Sequence, residues 1–491
     1  MIRFLSHVAP TDLVDTVPAL TRLKACNPSY IRRAEAALKT GRDFAERVML
    51  PRVLDIDSRC TDDPRYFDWE LWRRANSEKL TVALIPEKMG GLGYTALGAT
   101  ILCEEMTSAC MGMTANILFN NFGLLGALVE FRTGILMRVI SDMIEAQRAE
   151  RPLFWAWAIT EPSAGTDVED AQAMRTMRPS TWAEKVKGGY LINGTKCFIT
   201  NGSLAHYVIA TIPTDRAAPL ESMATFLIPA DSKGYAVGKV ERKCGQKASQ
   251  TAELIFENLF VPEENCWEPP GRGLRHTREI LSTTRGFIGA AALGVARGAF
   301  ERCVGFAAGV SVRGHRLIEE DWVQIALADM LKDIKTVRAA CYNFAVSVDT
   351  LHVMRLFENL PVRALLRIVP ESFLMANTVK KLAGSAIIEN MAARLKQSLV
   401  SDERVEDFVK EGSAVKVAGT DLATRISVRV LDIAGIEGMS YRYGLEKSYR
   451  DAKITQIYEG TNQANRIDLF HGDIYGRLGS LFVKEGRPVG T

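Results

Sequence analysis

Near residue 153 the spacing of apolar residues changes from three or four to two, and near residue 275 it changes back. That switch constrains the fold more than any other feature, because a segment with helical period cannot present one continuous apolar face from a pleated strand. Upstream, from residue 28 to about 150, stretches such as "YIRRAEAALKTGRDFAERVML" place apolar residues at i, i+3 and i+4. A glycine-rich loop, "IPEKMGGLGYTALG" at 85–98, interrupts them. Between the switches, "LFWAWAIT", "GGYLINGTKCFITNGSLAHYVIATI", "MATFLIPA" and "AELIFENLFVP" read as short strands, with Asn193-Gly194 and Asn201-Gly202 as hairpin turns of positive φ. After about 275, "LSTTRGFIGAAALGVARGAFERCVGFAAG" is helical in period and dominated by small residues on one long segment, which suits a helix packed closely on other helices. Helical patterns continue through 322–348, 374–400 and 413–435. The expectation is an α+β protein: an N-terminal helical domain over 1–152, a middle antiparallel β domain over 153–272, and a C-terminal helical bundle over 273–491.

The chain of 491 residues, 47% hydrophobic and 24% charged, is large enough to bury two or three packed cores. Its 61 Lys and Arg nearly balance its 58 Asp and Glu, with no long run of one sign, so nucleic acid is not an expected partner. Nine cysteines are scattered without a C-x-x-C pair or histidines at ligand spacing. They imply no metal site and read as small buried hydrophobes in a reducing compartment. The first residues, "MIRFLSHVAPTDLVDTVPAL", carry Asp12 and Asp15 and lack a long apolar core, unlike a secretory or transit peptide. No apolar run is read as approaching the roughly 18–20 residues of a membrane span. A cytoplasmic location is the simplest expectation.

Three short stretches carry candidate chemistry. "AITEPSAGTD" at 158–167 leads from a strand into a loop of small residues, where backbone amides with Thr160 and Thr166 can approach a bound group; the same string also suits a plain hydroxyl-rich turn. "KCFITNG" at 196–202 puts Phe198 and Thr200 on one side of a strand, able to stack on a planar ring and hydrogen-bond its edge, or to be part of an ordinary half-buried strand. "QIYEGTNQANR" at 456–466 holds one carboxylate, Glu459, between an aromatic ring and a Gly-Thr pair that can open a terminal helix. A solvated surface acid is the alternative.

Read in order, "GGLGY", "TEPSAGTD", "NGTKCFITNG", "FENLFVPEENC" and "RDAKITQIYEGTNQ" form a succession that resembles the acyl-CoA dehydrogenase family over about residues 30–475. The resemblance implies FAD as cofactor, with Trp157, Ile159, Thr160, Thr166, Phe198 and Thr200 around its ring and pyrophosphate, and Thr461 and Gln463 also on the flavin. It implies Glu459 as catalytic base, with Arg285, Tyr458 and Gly460 toward the substrate. Some members place the base just before the arginine of the long central helix; here that position is Thr284, which leaves Glu459 as the candidate. A carboxylate suits removal of a proton α to a thioester carbonyl, with hydride passing from the β-carbon to the flavin. The further implications are an acyl-CoA substrate, electron-transferring flavoprotein as acceptor, and a homo-oligomer, dimer or tetramer. Arg450 and Asp451 are expected to form a structural ion pair.

The chain also departs from the family pattern. "GVSVRGHRLIEEDW" gives Val310, Arg313 and Asp321, and later Asp432, Gly435 and Ile436, at positions that in the family hold the adenosine half of a neighbouring subunit's FAD. Two carboxylates replace neutral groups there and a cation is lost, so Arg313 or Arg316 is expected to restore positive charge, Arg313 by lying one helical turn along. An insertion near 350–402, including "LHVMRLFENLPVRALLRIVPESFLMANTVKK", is apolar and basic with helical period. It can form a packed hairpin, cover a subunit face or rest on a membrane surface. Oxygen as acceptor, a desulfinase-type reaction on the same base, and a scaffold subunit poor in FAD are the competing functions.

Overall fold

A computed structural model of the protein describes residues 17, 20–166, 171–352, 354, 368, 370 and 376–475. Its N-terminal part is helical. Helix α1 (Pro28–Phe44) starts at Asn27, whose side chain accepts from the Tyr30 N–H. After the glycine loop, Thr95 caps α2 (Ala96–Ala109), followed by α3 (Met111–Leu118), α4 (Phe122–Glu130) and α5 (Thr133–Arg148). Met111–Val129 carries no charge and is long enough to cross a bilayer, contrary to the sequence reading, but 94% of it is buried inside the protein. Its apolar composition serves a core that α3 and α4 occupy from all sides.

Eight strands follow: β1 (Trp155–Ala158), β2 (Trp182–Val186), β3 (Gly189–Thr200), β4 (Tyr207–Pro213), β5 (Met223–Pro229), β6 (Tyr235–Val240), β7 (Thr251–Pro262) and β8 (Cys266–Glu268). They form two four-stranded sheets, ordered β1-β4-β5-β8 and β2-β3-β7-β6. Pairing is antiparallel except that β1 runs parallel to β4. The sheets face each other across Ala156, Val208 and Phe226 on one side and Ile192, Leu254 and Phe256 on the other. Trp155, Ile209, Leu227 and Trp267 turn the opposite way, into the helical core. The first sheet is therefore buried on both faces, which is why β4 and β5 read as continuous apolar runs.

Both expected Asn-Gly hairpins differ in the structure. Asn193-Gly194 lies inside β3, where the pairing slips by one residue against β7. The β2–β3 turn is Lys187-Gly188 instead, with Gly188 at φ 83°. Asn201, at φ 60°, does open a turn, but the turn carries the chain to β4 in the other sheet. An Asn-Gly pair signals positive φ, and bulges and inter-sheet turns use that geometry as readily as hairpins.

The C-terminal part is built on α6 (Gly273–Gly309), a 37-residue helix buried along most of its length. Helix α7 (Asp321–Leu351), α8 (Asn377–Ala383), α9 (Ala386–Leu399), α10 (Asp402–Gly438), α11 (Leu445–Thr455) and α12 (Asn462–Leu469) complete it. The small residues on α6 allow backbone-to-backbone approach. A Cβ at Gly294 would sit 2.4 Å from the Glu104 carbonyl of α2, and one at Gly419 of α10 would sit 2.2 Å from the Gly289 carbonyl. Much of the 350–402 insertion falls outside the described residues. Its described helices lean on α5 and α6: Thr133 Oγ1 donates to Ala383 O at 2.6 Å, and Lys396 pairs with Glu279 at 2.6 Å. Ile387, Met391 and Leu395, spaced by four on α9, remain exposed.

Two smaller expectations are corrected. Arg450 and Asp451 do not pair with each other: Arg450 reaches Asp57 (2.8 Å) and Glu446 (2.6 Å), and Asp451 reaches Lys447 (2.5 Å). Neighbouring residues on a helix point about 100° apart, so partners four away are nearer. Of the nine cysteines, all free, Cys26 and Cys244 are exposed rather than buried.

If the α6–α10 crossing depends on contact without side chains, Gly419→Val should lower stability by ~1–3 kcal/mol or more, since neither backbone can yield. Urea and thermal unfolding would measure it; an unchanged midpoint would contradict the packing account.

Candidate active site

The site has a β side and a helical side. On the β side, the loop after β1 is pinned from three directions. Lys196 Nζ donates to Ile159 O at 2.7 Å, the Cys197 N–H donates to Thr160 O at 2.9 Å, and Glu161 Oε2 accepts the backbone N–H groups of Ser180 and Thr181 at 2.9 and 2.7 Å. Burial pulls the Lys196 ammonium down to about 8, with Glu161 acting against that shift. The Ile159 side chain packs beside Ala164, Met174 and Met223, so only its backbone is available to a ligand. Thr160 and Thr166 are half-buried.

Phe198 stands at φ 57° on a bulge, where β3 advances three residues from Lys196 to Ile199 while β7 advances two. Lys196 and Cys197 are therefore both buried, Phe198 turns outward, Ile199 points into the sheet core, and Thr200 is half-open. Phe198 and Thr200 share a face, as the alternation implied. The Phe198 ring is 61% exposed, and the buried indole N–H of Trp157 on β1 lacks a hydrogen-bond partner. An uncovered aromatic face, three hydroxyls and a spare N–H donor are the set that a flat, polar, acceptor-rich ring such as a flavin requires.

The helical side carries Glu459. It lies between α11 and α12 with φ 56°, and Gly460 follows at φ 75°. Two successive left-handed residues reverse the chain sharply, and Thr461 then caps α12 by accepting the Ala464 N–H at 3.2 Å. The turn is gripped from beneath. Lys416, fully buried on α10, donates to Gly460 O at 2.7 Å and to Asn462 Oδ1 at 2.8 Å, while Asn465 Nδ2 donates to Gly460 O at 3.0 Å. Thr284 Oγ1 donates to Glu459 Oε2 at 2.8 Å. The position before the central arginine and the terminal glutamate thus converge on one point. Tyr458 OH accepts from Gln246 Nε2 at 3.3 Å, and burial raises its phenol well above the usual value.

Beside this carboxylate lies a cleft walled by Leu84, Ala96, Leu102, Phe122, Phe287 and Met354 among other apolar side chains. Thr284 belongs to the cleft wall and to the Glu459 contact at once. Among the described residues, no charged side chain lines the cleft. Arg285 has 0% side-chain exposure and donates to Ser413 Oγ (2.8 Å) and Asp468 Oδ2 (2.6 Å), away from open solvent. Thr461 spends its hydroxyl oxygen on the cap, Gln463 is exposed on the first turn of α12, and Gly460 offers only backbone.

The expected replacement of an adenosine-side cation does not hold in its helical form. The segment after Val310 is a hairpin, β9 (Ser311–Val312) with β10 (His315–Arg316), and Arg313 sits exposed at its tip with φ 53°. Arg316 lies 2.7 Å from Glu319. Gly314, at φ 90°, favours this turn, and the helical period has already ended at Gly309. Asp321 opens α7, Asp432 is exposed on α10, and Gly435 (φ 56°, ψ −152°) kinks α10 just before Ile436, which is 92% exposed.

Sequence reasoning did not single out Lys416, Asn465, Lys196 or Glu161, nor the cleft. Lys416 had a usable signal: "GSAVKVAGT" sets one lysine in a helical stretch of small and apolar residues. Lys196 and Glu161 act through partners 37 and 19 residues away, and Asn465 through the carbonyl of Gly460 within its own turn.

A helical, β, helical chain with a ring-stacking face and a carboxylate beside an apolar cleft has the form of a flavin-dependent oxidoreductase. Comparison with known proteins agrees. Residues 32–133 match a family model described as "Acyl-CoA dehydrogenase, N-terminal domain", 156–259 the corresponding middle domain, and 271–359 with 378–471 the C-terminal domain. The chain belongs to the acyl-CoA dehydrogenase family, whose members are FAD-dependent oxidoreductases. It is 28% identical over 430 residues to cyclohex-1-ene-1-carbonyl-CoA dehydrogenase of Geobacter metallireducens, covering 87% of this chain and 94% of that one. It is 26% identical over 430 residues to the mitochondrial short-chain specific acyl-CoA dehydrogenase of Sus scrofa, covering 87% of each. Among solved structures, butyryl-CoA dehydrogenase of Megasphaera elsdenii superposes with a TM-score of 0.70 at 25% identity, over 92% of this chain and 98% of that one.

Lys416→Met would remove one of two donors from both the Gly460 carbonyl and Asn462 Oδ1, which keep Asn465 Nδ2 and Thr420 Oγ1, at roughly 1.5–3 kcal/mol for each charge-assisted hydrogen bond lost. The expected outcome is a lower unfolding midpoint together with slowed flavin reduction by substrate. Normal stability with normal reduction would show that the clamp is dispensable.

Proposed function

We propose that this enzyme α,β-desaturates an uncharged acyl-CoA thioester, with Glu459 taking the α-proton. The observation that carries the reading is the shared wall: Thr284 lines the apolar cleft and hydrogen-bonds the Glu459 carboxylate. An acyl chain seated in that cleft brings its carbons next to Thr284 and the Glu459 carboxylate it holds, and a carboxylate is the residue type that proton removal α to a thioester needs. FAD, when bound, supplies the acceptor for the hydride that leaves the β-carbon. Trp157, Phe198 and Thr200, with Thr160, Thr166 and the backbone of Ile159, are the residues to hold it, and Gln463 stands open on the helical side. The Lys416 and Asn465 grip fixes the base against displacement when substrate enters.

Electron-transferring flavoprotein is the acceptor this reading favours. Support comes from family membership and from the resemblance to a chain in a structure described as electron transferring flavoprotein of Acidaminococcus fermentans, with 26% identity and a TM-score of 0.69 over 90% of this chain and 98% of that chain. The enzyme works as a homo-oligomer; exposed Trp322 and Ile325 on α7 and Ile436 and Met439 at the end of α10 are the apolar surface such an assembly would cover.

Glu459→Gln should fold, retain flavin and lose anaerobic flavin bleaching by acyl-CoA at least ~100-fold, the usual scale of a general base. Bleaching near the wild-type rate would remove Glu459 from the mechanism. The uncharged cleft gives a second expectation. A thioester ending in a carboxylate should bleach the flavin at least ~100-fold less efficiently than a fatty acyl-CoA of equal length, because an unpaired buried carboxylate costs several kcal/mol. Equal efficiencies would mean that the acyl tail binds elsewhere.

A further inference from the structure

Thr284 is fully buried on α6, its Oγ1 2.8 Å from Glu459 Oε2 and 3.2 Å from the carbonyl of Ile280. One hydroxyl proton serves both acceptors, and the shorter contact is the one to the carboxylate. We propose that Thr284 is a positioning residue that keeps Glu459 ionised near neutral pH and aims it at the cleft. The inference rests on the reading of Glu459 as the base and adds how that base stays competent.

The need follows from the surroundings. A carboxylate at the wall of an apolar cleft loses water when an acyl chain fills the space, and desolvation favours its protonated form, which cannot accept a proton. A donor to the ionised form acts in the opposite direction and gains strength as water leaves. Among the described residues, the charged and titratable groups around the turn include Arg285 on α6, Lys416 and Asp421 on α10, Arg466 and Asp468 on α12, and Tyr458 on the turn itself, with Cys103 on α2 and Asp451 on α11 close to the Tyr458 hydroxyl. Arg285 is held by Ser413 and Asp468. Lys416 reaches Gly460 O and Asn462 Oδ1. Arg466 lies 2.5 Å from Asp421, and the Tyr458 hydroxyl meets Gln246. Thr284 differs from all of them in combining a direct contact to a Glu459 oxygen with a place in the acyl wall. Its γ-methyl maintains the cleft surface while its hydroxyl serves the base, a division that serine performs in part and valine cannot.

The sign follows directly. Removing a donor to the charged form raises the carboxyl pKa, so the acid limb of the rate profile moves to higher pH. One hydrogen bond to a charged group corresponds to a shift of about one pH unit. The experiment uses the FAD-loaded enzyme as wild type, Thr284→Val, Thr284→Ser and Glu459→Gln. Anaerobic flavin reduction by a fatty acyl-CoA is measured across pH, and the carboxyl infrared band of Glu459, identified by its loss in Glu459→Gln, is titrated without substrate. Thr284→Val should move both midpoints up by about one unit and approach the wild-type rate above them, while Thr284→Ser stays with wild type. A Thr284→Val titration midpoint equal to that of wild type would overturn the proposal. A Glu459→Gln enzyme as fast as wild type would instead overturn the base assignment, and the infrared titration would still read the hydrogen bond. Should Thr284→Val fail to fold, Thr284→Ala removes the same hydroxyl with less bulk and is read by the same criteria.

Discussion

The contact of bare backbone at Gly289, Gly294 and Gly419 fixes the rest of the molecule. Helix α6 lies against α2 on one side and α10 on the other, close enough that a single Cβ at Gly294 or Gly419 would overlap a carbonyl. Thr284 and Arg285 are carried on that helix, Ala96 and Leu102 on α2, and Lys416 on α10. The apolar cleft, the Thr284 that holds Glu459 and the Lys416 clamp under the turn thus come from three helices whose separation has almost no freedom. A site assembled this way needs no long ordered loops to hold its geometry.

Buried charge adds register to that closeness. Arg297 on α6 reaches Glu105 on α2 at 2.6 Å, and Arg338 on α7 reaches Glu104 at 2.6 Å. Burial alone would raise the Glu105 carboxyl, but the Arg297 and Arg42 guanidiniums bring it down to about 2. Such pairs cost desolvation and contribute little net stability, yet sliding one helix by a turn would strand ions in the core. Asp349 on α7 does similar service by accepting the first N–H groups of α2, from Ala96 at 2.7 Å and Leu97 at 3.0 Å. The helix that supplies Ala96, Ala99 and Leu102 to the cleft is thereby capped from a distant element.

The sequence was most legible where side-chain period and backbone demands coincide. Small residues on α6 signalled close packing, and Phe198 with Thr200 shared a face because Phe198 turns outward from within the bulge of β3. The same bulge was invisible as such, since its signature is a positive φ at phenylalanine, not glycine. Asn193-Gly194 advertised the right dihedral but could not say which structure would use it. Arg313 was placed on a helix that in fact ends at Gly309, and Arg450 was paired with its neighbour instead of with Asp57, 393 residues away. Within the site, Glu459 and Thr284 were recognisable as two alternative positions for one role; that they touch is a property of the fold alone.

One feature of the turn has an evolutionary consequence. At φ 56° the backbone of residue 459 is in territory that glycine enters freely and a glutamate enters at roughly 1–2 kcal/mol. Selection for a stable fold, acting by itself, would therefore erode the carboxylate toward glycine. On the proposed reading of Glu459 as the base, the position is one where the fitness of the chain is weighed against the ease of its folding, and a lineage released from that chemistry would be expected to lose this side chain early while keeping the turn.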